Sequence, residues 1–84
     1  VATVRVPAAP GRDNLLAEFR PPNDGRPALL FEAHVDTVPV DGMTIDPFGA
    51  EVRGGRLYGR GACDVKAGAA AMLAAFLRLT VERP

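Results

Sequence analysis

The amino-acid sequence predicts an α/β fold, and three stretches of its 84 residues carry that prediction. Ala28–Asp36, ALLFEAHVD, begins as an apolar run behind a turn cluster, which is typical of a strand in the middle of a parallel sheet. The stretch from Val65 to about Leu79 is rich in alanine and leucine, which favours a helix. Between them, Gly54-Gly55 separates two short runs and predicts a tight hairpin.

The N-terminal third predicts two further strands. Val1–Val6 alternates apolar and polar side chains, which is a strand pattern, and the prolines and glycine of Pro7–Gly11 end it. Asn14–Arg20 predicts a second strand, although its Leu, Ala and Glu residues also permit a helix. The turn cluster Pro21–Pro27 suits an antiparallel pairing of Asn14–Arg20 with Ala28–Val35.

The second half predicts a loop, a hairpin and the helix. Thr37–Gly49 contains turn-forming proline and glycine, and a loop of this length is often functional. We expect Ala50–Arg53 and Arg56–Gly59 as the arms of the Gly-Gly hairpin. The helix should begin within two residues of Asp64, which is well placed as its N-cap.

Composition excludes several classes of partner and location. Lys plus Arg and Asp plus Glu number 10 each, so we expect neither nucleic acid nor an anionic membrane as a partner. The single cysteine excludes an internal disulfide framework. The longest apolar run, Ala67–Leu77, is too short to span a bilayer, and no signal peptide is present. We therefore expect a cytoplasmic location, although the chain begins at Val1 and a removed leader stays open.

The helix also bears on the size of the domain. Ala67–Leu77 has no charged side chain on any face, and a helix that is apolar all round is buried all round. The Ala28–Val35 strand likewise needs cover on both faces of its sheet. One helix cannot meet both needs, so we expect these residues to belong to a larger domain or an obligate assembly, with homo-oligomerisation left open.

The predicted strand ends in a pair of residues that can carry chemistry. Strand alternation places His34 and Asp36 on the same side, at the edge of the sheet where open α/β folds bind ligands. The imidazole can hold a metal while the carboxylate orients the ring. The alternative is a buried histidine hydrogen-bonded to a neighbouring acid.

A second informative stretch is Gly59–Gly68, GRGACDVKAG. It is a poor phosphate-binding loop, because it lacks both the third glycine of a dinucleotide motif and a GxxxxGK[ST] sequence. Taken alone, the stretch supports two interpretations equally: a functional motif, or a hairpin exit followed by an aspartate N-cap. Cys63 could be a ligand or nucleophile, but no partner base adjoins it. A small apolar residue in a tight buried turn is the favoured interpretation.

Taken together, HVDTVP and DPFGAEVRGGRLYGRGACDVKAG resemble the aminoacylase, acetylornithine deacetylase and succinyl-diaminopimelate desuccinylase family of di-zinc peptidases and deacylases. The resemblance runs from about Gly11 to Leu79. It implies a three-layer sheet-and-helix domain of the zinc-peptidase type, incomplete in this chain. Residues 1–84 would then be the N-terminal portion of a metallohydrolase catalytic domain.

The resemblance also implies residue roles. His34 matches the histidine that ligates one zinc ion, and Asp64 matches the carboxylate that bridges two. Asp36 matches the catalytic-site aspartate that orients the imidazole. The peptide bond between Asp64 and Val65 is expected to be cis.

Other positions in the resemblance carry no implied role or depart from the family pattern. Lys66 and Arg60 fall in the second motif and receive no catalytic role. Many members have a tryptophan shortly before DPF, whereas Met43 or its neighbours occupy that region here. This departure concerns packing of the loop and not the metal ligands.

The implied activity is hydrolysis of the amide bond of an N-acyl amino acid or small peptide by a zinc enzyme, with cobalt or manganese as substitutes. The general-base glutamate and a second histidine ligand are absent from these residues, so we expect the 84 residues alone to be inactive. Two other functions stay open. One is a non-catalytic homologue or interaction module that keeps the fold without the metals, and the other is a nucleotide-binding α/β domain.

Overall fold

The computed structural model describes residues 1–22 and 25–82. The chain forms two units, one made of Val1–Leu29 with Leu77–Pro84 and the other of Leu30–Phe76. Strands and helix are both present, so the mixed strand-and-helix composition predicted from the sequence is confirmed.

The first unit contains an antiparallel hairpin. Strands β1 (Ala2–Ala9) and β2 (Arg12–Glu18) pair in register from Ala2 opposite Glu18, with an irregularity near Pro7. Gly11 closes the connecting turn at φ +70°, a conformation that glycine adopts without strain. Both predicted strands are therefore confirmed, and the first continues three residues beyond its predicted end at Val6.

The predicted central strand Ala28–Val35 is wrong for this chain, as is its pairing with Asn14–Arg20. Residues 28–36 have no regular secondary structure, and β2 pairs with β1 instead. A strand exists only where a neighbour accepts and donates its backbone hydrogen bonds. The two sheets in the described part of the chain are hairpins complete in themselves, so they offer this stretch no such neighbour.

The second unit contains the Gly-Gly hairpin. Strands β3 (Glu51–Arg53) and β4 (Arg56–Tyr58) pair in antiparallel register, as predicted, each one residue shorter than expected. Gly54 and Gly55 both have positive φ, at +58° and +77°, which is the requirement of a type I′ hairpin turn. The preceding loop, residues 37–49, has neither strand nor helix, as predicted.

The helical region begins with an irregular turn. This turn spans Ala62–Lys66, and the regular helix α1 spans Ala67–Glu82. The predicted helix is thus confirmed, but α1 begins three residues after Asp64 and not within two of it, and Asp64 is not its N-cap. Gly61 precedes the turn with a left-handed backbone, and Asp64 lies inside the turn with non-helical backbone angles of φ −116° and ψ 91°.

Apolar side chains are exposed throughout the described residues, none of which forms a buried hydrophobic core. Leu30 is 74% exposed, Val35 82% and Phe48 79%, and on α1 Leu73 is 57% exposed. Apolar surface of this extent is typical of regions that a partner or another part of a protein covers. Among the described residues, no helix combines the length and apolar character needed to cross a bilayer.

Candidate metal centre

His34 faces a carboxylate from each of its ring nitrogens. Its Nδ1 lies 3.0 Å from the Asp36 carbonyl oxygen and 3.2 Å from Asp36 Oδ1. Its Nε2 lies 3.2 Å from Asp64 Oδ1, across 30 residues of sequence. The structure therefore brings together the three residues that the sequence singled out, although His34 is not on a strand.

The oxygens around the ring are all acceptors. A neutral imidazole can therefore donate either from Nδ1 to Asp36 or from Nε2 to Asp64. With acceptors on both sides the charged ring is favoured. The pKa of His34 is raised above its ordinary 6.5, first by the hydrogen bond to the Asp36 carbonyl and then by the one to Asp64.

The same arrangement fits a divalent cation. Two donors of one tetrahedral zinc, with bonds of about 2.0–2.1 Å, lie about 3.3 Å apart, and His34 Nε2 and Asp64 Oδ1 lie 3.2 Å apart. A cation there would replace the proton that the raised pKa of His34 retains. In residues 1–22 and 25–82, no three His, Cys, Asp or Glu side chains cluster as a complete metal site. His34 Nε2 and Asp64 Oδ1 are two donors at the spacing that one cation requires.

Asp64 is positioned by a compact turn that follows the β3–β4 hairpin. The Arg60 amide donates to the Pro47 carbonyl at 2.9 Å, and the Lys66 amide donates to the Gly61 carbonyl at 3.0 Å. The Asp64-Val65 peptide bond is cis, as the resemblance implied. These contacts present the Asp64 carboxylate to the imidazole from a segment distant in sequence.

Gly61 is a position in this turn that no other residue fits well. It is buried and has φ +83°. A Cβ there would lie 3.0 Å from both Lys66 Cδ and Thr37 Cγ2. Glycine is therefore required by the backbone angle and by the closeness of two side chains.

Lys66 is the residue that reasoning from sequence missed. Its Nζ donates a hydrogen bond to the Val35 carbonyl oxygen at 2.7 Å. Val35 lies between His34 and Asp36 in the sequence. A usable signal was present, because Lys66 is the single lysine of the sequence and directly precedes α1. A cation at a helix N-terminus is electrostatically disfavoured, which indicates a partner elsewhere.

Two other residues of the motif differ from expectation or stay unassigned. Cys63 is a free thiol and is exposed, so the buried position expected for it is wrong in this chain. Arg60 has a buried Nε that finds no hydrogen-bond partner among the described residues.

Comparison with known protein families establishes the family of the chain. Residues 30–84 match the family described as "Peptidase family M20/M25/M40". The chain belongs to this family. The matched residues include His34, Asp36 and Asp64, and the resemblance carried by the two motifs is thereby confirmed.

Several curated succinyl-diaminopimelate desuccinylases are similar to the chain. That of Parvibaculum lavamentivorans is 43% identical over 76 residues, covering 87% of this chain and 18% of the relative. That of Rhodospirillum centenum is 48% identical over 66 residues, covering 75% and 16%. That of Wolinella succinogenes is 53% identical over 47 residues, covering 55% and 13%. The chain spans less than a fifth of the length of these relatives, and no solved structure matches it.

Proposed function

We propose that the intact protein is a metal-dependent hydrolase that cleaves the amide bond of acylated amino acids. The family supports this class of activity, and the names of the relatives make succinyl-diaminopimelate the first substrate to test. N-acetyl amino acids and small peptides are the next candidates. Residues 1–84 are proposed as the N-terminal portion of its catalytic domain.

The observation that carries the proposal is the placement of His34 between two carboxylates. We assign His34 Nε2 as ligand to one zinc ion and the Asp64 carboxylate as a bridge between two. Asp36 accepts the Nδ1 hydrogen and so keeps Nε2 free to bind a cation. When bound, zinc polarises a carbonyl oxygen and acidifies water, which is the chemistry that amide hydrolysis needs. Cobalt or manganese could substitute.

The chain's own residues set the orientation and the charge of this site. The Asp36 carbonyl and carboxylate fix the ring, and the Asp64 carboxylate faces it at 3.2 Å. Two anionic side chains beside one imidazole create a negative local field, which attracts a cation. A general base and the remaining ligands are proposed to lie in parts of the protein outside these 84 residues.

The fold proposal follows from the uncovered surfaces. We assign the chain to a three-layer sheet-and-helix domain in which residues 28–35 become a paired strand. The exposure of Leu30 and Val35 supports this, because such a strand needs cover on both faces. The exposed apolar side chains of α1, such as Leu73, supply a surface for the same sheet.

The test uses the full-length protein that contains this chain. Wild type, His34→Ala and Asp64→Asn are compared for bound metal by elemental analysis and for hydrolysis of succinyl-diaminopimelate and N-acetyl amino acids. Asp41→Asn is the matched control, since it removes a carboxylate from the neighbouring loop. We expect both site variants to lose metal and activity while the control retains them. A His34→Ala protein that keeps both would contradict the assignment, and a folded wild type without metal or turnover would favour a non-catalytic homologue.

A further inference from the structure

Lys66 is the charged residue beside the site to which the proposed function gives no role. Its ammonium lies 2.7 Å from the Val35 carbonyl oxygen. A hydrogen bond from a charged donor is shorter and stronger than one between neutral groups. Val35 stands between His34 and Asp36, so the bond acts on the backbone that carries both side chains.

The bond joins the two halves of the candidate metal centre. Lys66 follows Asp64 by two residues, and its amide also donates to Gly61 O at 3.0 Å. Its side chain then reaches Val35, 31 residues away in sequence. The turn that presents Asp64 is thereby tied to the segment that presents the imidazole.

The path of the lysine stem depends on a glycine. A Cβ at Gly61 would stand 3.0 Å from Lys66 Cδ and 3.1 Å from Lys66 Cε. The same point lies 3.0 Å from Thr37 Cγ2, directly after Asp36 in sequence. The stem of Lys66 therefore runs over the open face of Gly61, close to the segment that it holds.

Few other bonds hold that segment. Among the described residues, no backbone–backbone hydrogen bond outside helices and strands reaches residues 33–37. The contacts of His34 with Asp36 fix the ring relative to its own segment only. The side chain of His34 contacts Asp64, and the Lys66 bond ties the backbone of the same segment to the Asp64 turn.

We propose that Lys66 is a positioning residue, whose ammonium holds the Val35 carbonyl and thereby sets the distance between His34 and Asp64. This role rests on the proposed function, since the distance concerns metal binding. Lys66 itself touches neither substrate nor metal in the proposal.

The experiment measures the contact between Lys66 and the Val35 carbonyl separately from its effect on zinc binding, both in the full-length protein. Labelling with ¹³C′-valine and ¹⁵N-aspartate reports Val-Asp peptide groups, of which this chain has two, Val35-Asp36 and Val40-Asp41. Lys66→Met should shift the carbonyl ¹³C signal of the first upfield in metal-free protein and leave the second, an internal reference, in place. Zinc affinity, measured by chelator competition, should fall about 10-fold or more, as for other residues that orient metal ligands.

Activity and a matched control complete the test. With the metal sites saturated, Lys66→Met should lower kcat and leave KM little changed, and Lys66→Arg should recover part of the zinc affinity because it restores a charged donor. Arg78→Met removes another long basic side chain, paired with Glu82 on α1, and should change none of these readings. If Lys66→Met does not fold, Lys66→Gln, too short to span the contact, is judged by the same readings.

The outcomes separate this proposal from the one on which it rests. An unmoved Val35 signal overturns the contact, and a moved signal with unchanged zinc affinity and kcat overturns the positioning role; both leave the proposed function intact. A wild-type protein that binds no zinc through His34 overturns both proposals, and that result is visible before any Lys66 variant is made.

Discussion

Replacement of Asp36 by asparagine tests how the imidazole is oriented. The carboxylate oxygen Oδ1 lies 3.2 Å from His34 Nδ1, while the backbone carbonyl of the same residue lies closer, at 3.0 Å. Asp36→Asn removes the negative charge but leaves both the carbonyl and an amide oxygen as acceptors. The Nδ1 proton should therefore keep a partner, and the ring should keep its tautomer.

That redundancy sets the size of the effect. Loss of an outer partner of a metal-bound histidine typically reduces metal affinity or activity by about 10–100-fold. Because the Asp36 carbonyl remains in place, we expect a loss near the lower limit, about 10-fold in zinc affinity. A factor of ten corresponds to about 1.4 kcal/mol of binding free energy.

The assay is zinc affinity of the full-length protein by chelator competition, together with ¹⁵N NMR of the His34 ring in the metal-free state. Asp41→Asn is the control, because it neutralises a carboxylate on the following loop. A loss far above 100-fold, or a proton moved to Nε2, would show that the carboxylate alone sets the tautomer and that the backbone contact contributes nothing.

Three further outcomes are expected. The raised pKa of His34 means that the charged imidazole stabilises the metal-free fold fully below about pH 6.5 and that this contribution is lost as pH rises through the folded pKa. Thermal unfolding at several pH values should show that stability falls as the pH rises through this range, and His34→Asn should remove that pH dependence. Gly61→Ala should cost about 1–2 kcal/mol for its left-handed backbone plus a crowding cost that Gly42→Ala, at φ +76° in open space, does not incur; urea unfolding of both compares them. The isolated 84 residues should show no amide hydrolysis with excess zinc and should self-associate by light scattering, because their apolar side chains are exposed.

Local signals in the sequence were sufficient for the hairpins and the helix. Gly54-Gly55 determines its own turn through two positive φ angles, and the alternation in Val1–Val6 requires only the adjacent strand as a partner. The alanine-rich stretch forms α1 with bonds internal to the helix. In each case the pattern and the residues that satisfy it lie close together in the chain.

The strand predicted at Ala28–Val35 was wrong because a strand of this kind depends on residues that are not close to it in the chain. Its apolar pattern describes a place in a sheet, and the neighbours that would occupy that sheet are not among the described residues. The N-cap assignment of Asp64 failed because the spacing before a helix does not distinguish a cap from a residue inside an irregular turn. The single lysine before α1 indicated that Lys66 has a partner, but the partner is a backbone carbonyl, whose identity no side-chain pattern reveals.

His34 lies next to Asp64 although the strand on which His34 was predicted does not form. The contact between the two residues and the complete zinc site therefore have different structural requirements. The contact needs only the turn around Asp64, the contacts within His34–Asp36 and the Lys66 bond, and all of these lie within residues 34–66. A complete zinc site needs about four ligands, and a stable strand needs paired neighbours. On the proposed function both needs are met by the same remaining part of the domain. Pairing of residues 28–35 and completion of the metal site should therefore be coupled, so that variants that weaken the strand weaken zinc binding without touching a ligand.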